Sequence, residues 1–175
     1  MSPVPPRRAV DITPAFPAGS AWDRPGFVLW HATLRWQREV ATALKPLGLT
    51  HVQFVLLAGT HWLEVHDGRG PSQRELADHA GTDAMMTSQV VRALEKQGLM
   101  QREADADDAR IRRLRTTPKG RRLAVRAVDE VAALDDRLFG DLSYPEGLLT
   151  VLRQLAGRDE RGAVLPDDGA ARSVQ

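Results

Sequence analysis

The sequence predicts a mainly helical fold carrying one small β-hairpin. Three observations point there. Apolar residues recur at helical spacing along most of residues 26–156, and Thr50-x-x-Gln53, Ser72-x-x-Glu75 and Ser143-x-x-Glu146 read as helix-opening capping boxes. Strand-like texture is confined to residues 99–116. At 175 residues the chain corresponds to one ordinary core, given about 150 residues per domain.

Residues 26–46 read as a helix with two apolar stripes. Phe27, Trp30, Leu34, Ala41 and Leu44 lie on one side, with Leu29, Trp36, Val40, Ala43 and Leu47 nearly opposite. A helix apolar on two faces needs two packing partners: its own domain, and either a second subunit or the remainder of a monomer core. Pro46 and Gly48 end it, and a second helix runs from Thr50 to about Glu64. Ser72 opens a short helix ending near His79 to Gly81. Thr82 can cap a third, with Met86, Val90, Val91 and Leu94 as its apolar positions and Gly98 as its terminator. Short helix, Gly-containing turn and longer helix form a helix-turn-helix pattern.

After Gly98 come strand-like LMQRE, the charged segment ADADDA and strand-like RIRRLRT, a hairpin with a long tip. Thr117-Pro118 starts a long helix to about Asp141, with Pro at the first helical position, where its missing N–H costs nothing. Ser143 opens a last helix ending near Ala156. A helix-turn-helix followed directly by a two-stranded hairpin is a winged helix. The expected organisation is therefore a flexible Pro-rich segment (1–25), one folded domain (26–156) and a flexible tail (157–175). Within the domain, the winged helix spans about 49–117 and the flanking helices span 26–46, 117–141 and 144–156.

Lys and Arg total 24 against 23 Asp and Glu, a formal charge of +1 that conceals a strong local asymmetry. From Arg110 through Arg126 there are eight basic residues and no acidic one. Lys119, Arg121 and Arg122 sit in the first turns of a helix, where the macrodipole disfavours positive charge by a few tenths of a kcal/mol each, roughly. Phosphates of a nucleic-acid backbone would offset that repulsion; a solvated face balanced by the acidic hairpin tip is the plainer alternative. On the third helix, Met85, Thr87, Ser88, Gln89 and Arg92 lie off the apolar stripe. Short hydroxyls, an amide and a guanidinium are groups that read base edges in a major groove, although an ordinary solvent face is the other reading.

Residues 49–125 resemble the MarR family of winged-helix transcriptional regulators. The resemblance rests on SQRELADHAG, on TDAMMTSQVVRALEKQGLMQRE and on ADADDARIRRLRTTPKGRRL. Asp108-Ala109-Arg110 matches the family's D-x-R wing signature, and Leu114 with Thr117-Pro118-Lys119-Gly120 matches the segment leading out of the wing. Thr116, usually aliphatic, Ala109, often Arg, and Gln89, often basic, depart from the pattern. The resemblance implies flanking dimerisation helices, a recognition helix over Thr82 to Gln97, and Arg110 at the minor groove. Asp108 would orient neighbouring basic side chains. Ser72 and Gln73 would hold a phosphate through helix N-terminal amides, with Arg112, Lys119 and Arg122 as further DNA contacts. The expected partners are double-stranded DNA, a second copy of the chain on a pseudo-palindromic site, and a small aromatic or lipophilic effector. A winged-helix module meeting an acidic protein is the alternative.

Trp30, His31, Trp36, Trp62 and His66 lie on the first two helices, which in MarR-like dimers line a cleft. They are either an effector-binding set or dimer-interface core. His61-x-x-Glu64-x-His66 has acceptable metal-ligand types at irregular spacing, so no metal site and no cofactor are expected. The sequence contains no G-x-S-x-G, no phosphate-cradling Gly loop and no H-E-x-x-H, which argues against an enzyme. Without cysteine, disulfides and thiol-based redox sensing are excluded. Arg7 and Arg8 are followed by a segment broken by Asp11, Pro14 and Pro17 rather than an apolar run. The expected location is the cytoplasm, with no membrane association.

Overall fold

The computed structural model describes residues 20–105, 107, 108, 110–140 and 145–159. Those residues divide between Trp36 and Gln37 into two units. The expected flexible segments lie mostly outside the described residues, as does the Ser143 cap. Inside the segment expected to be flexible, Ser20 and Asp23 close a reciprocal capping box on a single 3-10 turn, Ala21–Asp23.

Helix α1 runs Pro25–Leu44, its residues up to Trp36 belonging to the first unit. In that unit Trp22, Phe27 and His31 pack ring against ring at centroid distances of 4.4–5.1 Å. Phe27, Val28, Leu29 and Trp30 are exposed in the single chain, Trp30 by 60%.

The second unit contains α2 (His51–Asp67), α3 (Gln73–Ala80), α4 (Ala84–Lys96), β1 (Met100–Ala104), β2 (Arg112–Thr116), α5 (Pro118–Phe139) and α6 (Pro145–Leu155). Thr50 and Gln53 form the expected capping box, and α2 extends a turn beyond Glu64 before Gly68 ends it in the left-handed region. Helix α2 packs against α3, α4 and α5 and is the axis of the core. Leu56 and Leu57 are fully buried, together with Leu76 of α3, Val91 and Leu94 of α4 and Leu114 of β2. Each such leucine contributes roughly 1.5–3 kcal/mol by leaving water. Thr60 is buried as well, and its hydroxyl donates to the Leu56 carbonyl.

The antiparallel hairpin pairs Met100 with Thr116 and Ala104 with Arg112. Beyond the hairpin, the Leu114 amide donates to the Pro71 carbonyl at 2.8 Å, and Ser72 bridges to Arg113, so the segment opening α3 lies beside β2. This approach needs Gly70: a Cβ there would fall 2.0 Å from the Leu114 carbonyl oxygen. Thr117 caps α5, with Pro118 inside the first turn as expected. The turn after α6 reaches α3 through Arg158, which donates to the Asp78 carbonyl. Among the described residues, no single helix is long and apolar enough to cross a membrane.

Helix α4 begins one residue later than the sequence suggests. Its N-cap is Asp83, whose carboxylate accepts from the Met86 amide. Thr82 instead hydrogen-bonds the Thr87 hydroxyl at 2.7 Å. Packed against α2 and α3, the helix buries Thr87, Val91 and Leu94 and leaves Val90 half-buried.

Candidate nucleic-acid interface

Helix α3 ends at Gly81, in the left-handed region at φ 64°, and the chain turns through Thr82 into the Asp83 cap. On α4, Met85 is 73% exposed, Gln89 and Arg92 are exposed, and Ser88 is half-buried. These four can meet a groove. Thr87 cannot: it is fully buried, and its hydroxyl donates to the Asp83 carbonyl, which corrects its assignment as a DNA contact. A threonine can occupy a core position because its one polar group is satisfied one turn back.

The N-terminus of α3 is also partly committed. The Ser72 amide donates to Glu75 Oε2 at 2.6 Å, and the Glu75 amide donates to Ser72 Oγ. That capping box removes Ser72 N–H as a phosphate donor. Gln73 accepts a long 3.5 Å contact from Arg102, which also pairs with Glu95 at 3.1 Å.

The basic segment separates into engaged and free groups. Arg113 Nε donates to Asp105, and its Nη1 donates to Glu75 Oε2 at 2.7 Å, so one guanidinium joins the wing to α3. Its side chain is 12% exposed and that of Asp105 is 11% exposed. Arg115 lies 3.5 Å from Glu103 across the hairpin. Lys119 Nζ donates to the Gln97 carbonyl at 3.0 Å, at the C-terminal end of α4. The dipole penalty expected for Lys119 is therefore offset inside the chain, by the negative end of another helix. Arg110, Arg112, Arg121, Arg122 and Arg126 are exposed and make no ion pair with a described residue.

Asp108 accepts from the Arg110 backbone amide at 2.9 Å, a local turn that shapes the wing tip. The carboxylate that orients a basic side chain is Asp105, three residues earlier. Arg113 is the main cause holding Asp105 down to about 2, and the amides of Asp107 and Asp108 add to it. Burial would raise the Glu75 carboxyl, but the Ser72 hydrogen bonds and the charges of Arg69 and Arg113 hold it below its ordinary value. Sequence reasoning missed Asp105, Arg113 and Glu75 as a set. The available signal was the alternation across the hairpin, which places Asp105 diagonal to Arg113 once the register is known.

The aromatic residues fall into separate groups. Trp62 stacks on His66 at 3.9 Å and on His79 at 5.1 Å, with ring planes within 20°. Gly59 makes room for the His79 ring, which would lie 3.2 Å from a Cβ there. Burial, and secondarily the charge of Arg158, lowers the His79 pKa. His31 packs with Trp22 and Phe27 in the first unit, and Trp30 is exposed there. Trp36 also has a partner. Of the residues considered for a metal, Glu64 is bound to Thr116, while His66 stacks on Trp62.

Comparison with known proteins agrees with this architecture. The MarR family model matches residues 49–111. The uncharacterized HTH-type transcriptional regulator YdcH of Bacillus subtilis is 40% identical over 131 residues, covering 75% of this chain and 88% of YdcH. CouR of Rhodococcus jostii, solved on a 23-mer DNA duplex, superposes with a TM-score of 0.69 at 30% identity, over 81% of this chain and 98% of CouR. Mycobacterium tuberculosis Rv2887 in complex with salicylic acid superposes at 0.58 and 34% identity, over 75% of this chain and 96% of Rv2887. By sequence and by fold, this winged-helix chain belongs to the MarR family of transcriptional regulators.

Proposed function

We propose that the chain represses transcription as a homodimer on a pseudo-palindromic duplex site, and that a small aromatic or lipophilic ligand relieves the repression. The observation that carries this reading is the separation of charge just described. Arg92 on α4 and Arg110 and Arg112 on the wing stay exposed, while neighbouring cations are consumed by internal partners. Lys and Arg at phosphates supply most nucleic-acid affinity, and an exposed helix face bearing an amide and a guanidinium supplies base readout. Met85, Ser88, Gln89 and Arg92 read the major groove; Arg110 lies at the minor groove, and Arg112 and Arg122 meet phosphate. CouR and Rv2887 have both been solved with DNA, which supports this assignment.

The second copy covers exposed apolar side chains in the flanking helices: Phe27, Leu29 and Trp30 of α1, and separately Leu149, Val151 and Leu155 of α6. Two-fold symmetry then places half-site centres about one helical turn, roughly 10 bp, apart. For the ligand, Trp62 and His66 of α2 offer a stacked aromatic pair in the second unit, while Trp30, His31 and Trp36 belong to the first. Its chemistry is supported by the structures of Rv2887 with salicylic acid and CouR with p-coumaroyl-CoA. To act, it must bind more tightly to a dimer geometry that fits DNA poorly.

Selection of duplexes from a random pool tests the reading, with sedimentation of the free protein alongside. An inverted repeat bound by a dimer, released by salicylate with quenching of tryptophan emission, is the expected result. A monomer at micromolar concentration, or a pool without an inverted repeat, overturns it. Binding of an acidic protein without duplex binding would favour a protein-interaction module instead.

A further inference from the structure

We propose that Arg113 is a positioning residue for DNA binding: held by Asp105 on the wing and Glu75 on α3, it fixes where the wing presents Arg110 and Arg112 relative to the helix-turn-helix. The inference rests on the DNA-binding reading above and assigns Arg113 a role other than touching DNA.

The geometry is that of a clamp. The guanidinium uses Nε for Asp105, eight residues before it, and Nη1 for Glu75, 38 residues before it in sequence. Glu75 is itself fixed, since it accepts from the Ser72 amide at 2.6 Å and from Arg69 at 3.0 Å. Asp105 is fixed on its other side by the amides of Asp107 and Asp108. The Asp108 carboxylate then holds the Arg110 amide, so a chain of hydrogen bonds runs from the cap of α3 to the residue at the wing tip. Beside the clamp, the hairpin is anchored to the segment before α3 by the Leu114 amide on the Pro71 carbonyl. The clamp sets the part of the wing beyond that anchor.

Charge and burial argue against direct contact. The guanidinium is shared between two carboxylates, and only 12% of its side chain is exposed. Arg110 and Arg112 are exposed and form no ion pair with a described residue. A planar fork can hold two carboxylates at fixed angles, which a lysine ammonium cannot reproduce.

The test uses Asp105→Asn, because simple electrostatics and the proposal predict opposite signs. Removing a negative charge near phosphate raises DNA affinity by Coulomb attraction alone, and would also release Arg113 to bind phosphate. Positioning predicts a loss. The probe is a fluorescent duplex bearing the inverted repeat that the full-length wild-type protein selects, titrated at several salt concentrations. Asp105→Asn and Arg113→Met should each weaken binding about tenfold, and Arg113→Lys should recover only part of the loss. Arg110→Ala should cost much less in the Asp105→Asn background than in wild type, because a wing already displaced has little contact left to lose. Circular dichroism and thermal melting check that each variant folds. Amide hydrogen exchange of residues 105–112 in the free protein should accelerate in Asp105→Asn. Unchanged or tighter binding by Asp105→Asn, or additivity with Arg110→Ala, overturns the inference while the wild-type titration leaves DNA binding intact. Failure of the wild-type protein to bind any duplex overturns the DNA-binding reading itself, and this inference with it.

Discussion

The Glu64 carboxylate, near the end of α2, accepts hydrogen bonds from both the backbone amide and the hydroxyl of Thr116, 52 residues downstream at the end of β2. Thr116 is a position where the sequence departs from the usual aliphatic residue, and the structure supplies the reason. With its carboxylate 11% exposed, Glu64 needs donors, and a threonine provides two from one residue. The pair joins the central helix to the base of the wing.

Glu64→Leu should therefore destabilise the protein by about 1–3 kcal/mol, because the buried Thr116 donors lose their acceptor. Thr116→Val should cost a similar amount. The double variant should cost less than the sum, since the hydroxyl and its acceptor are removed together and only the backbone amide of residue 116 is left without a partner. Urea denaturation of the four proteins measures the cycle, and strict additivity would show that the two residues do not interact.

On α4, stability and DNA affinity should separate by residue. Thr87→Ala removes a fully buried methyl and hydroxyl and should lower stability by about 1–2 kcal/mol. Arg92→Ala and Gln89→Ala, on the exposed face, should change stability by less than about 0.5 kcal/mol. Each should weaken duplex binding by roughly 1–3 kcal/mol. Thermal melting and fluorescence anisotropy on the same samples separate the two effects; a Thr87→Ala protein of normal stability would mean the buried stripe is misplaced.

Lys119 and Arg122 should behave differently despite their proximity on α5. Lys119→Met loses the contact with the Gln97 carbonyl and should cost about 0.3–1 kcal/mol of stability. Its effect on the salt dependence of DNA binding should be small. Arg122→Ala should flatten the slope of log affinity against log salt by about one and leave stability unchanged. Equal slopes for both variants would show that Lys119 also neutralises phosphate.

Acid should loosen the wing in a defined window. The Asp105 carboxyl titrates at about 2 in the folded protein, against 3.8 for an unperturbed aspartate. The folded state therefore binds fewer protons between these values than the unfolded chain does. Stability from this group is fully present above about pH 4 and is lost as pH falls through about 2. Carboxylate chemical shifts and hydrogen exchange at the wing, followed from pH 5 to 1.5, should report a transition that Asp105→Asn lacks. A wing that opens with a midpoint near 4 would mean the Arg113 contact is not formed in solution.

The signals legible in the chain were the local ones. Thr50 with Gln53 and Ser72 with Glu75 mark helix starts by hydrogen bonds that close within three residues, and Thr117 does so by accepting from the Gly120 amide, with Pro118 inside the first turn, so all three can be read without knowing the fold. Leu76, Val91, Leu94 and Leu99 were legible as core, because amphipathic spacing is also local. Helical spacing located the stripe on α4 only to within one residue, and packing against α2 and α3 set it, burying Thr87 and leaving Val90 at the edge.

By itself, then, the sequence determined the order of helices, the position of the wing and the concentration of positive charge on and after it. Only the tertiary structure decided which of those charges face outward. Glu75 meets Arg113 across 38 residues and Lys119 meets the end of α4 across 22, and neither distance along the chain carries a local signal. Hydrogen bonds and Coulomb attraction act over a few ångströms in space. The partner of each cation is therefore set by which elements the buried core brings side by side, and a count of charges along the chain cannot show it.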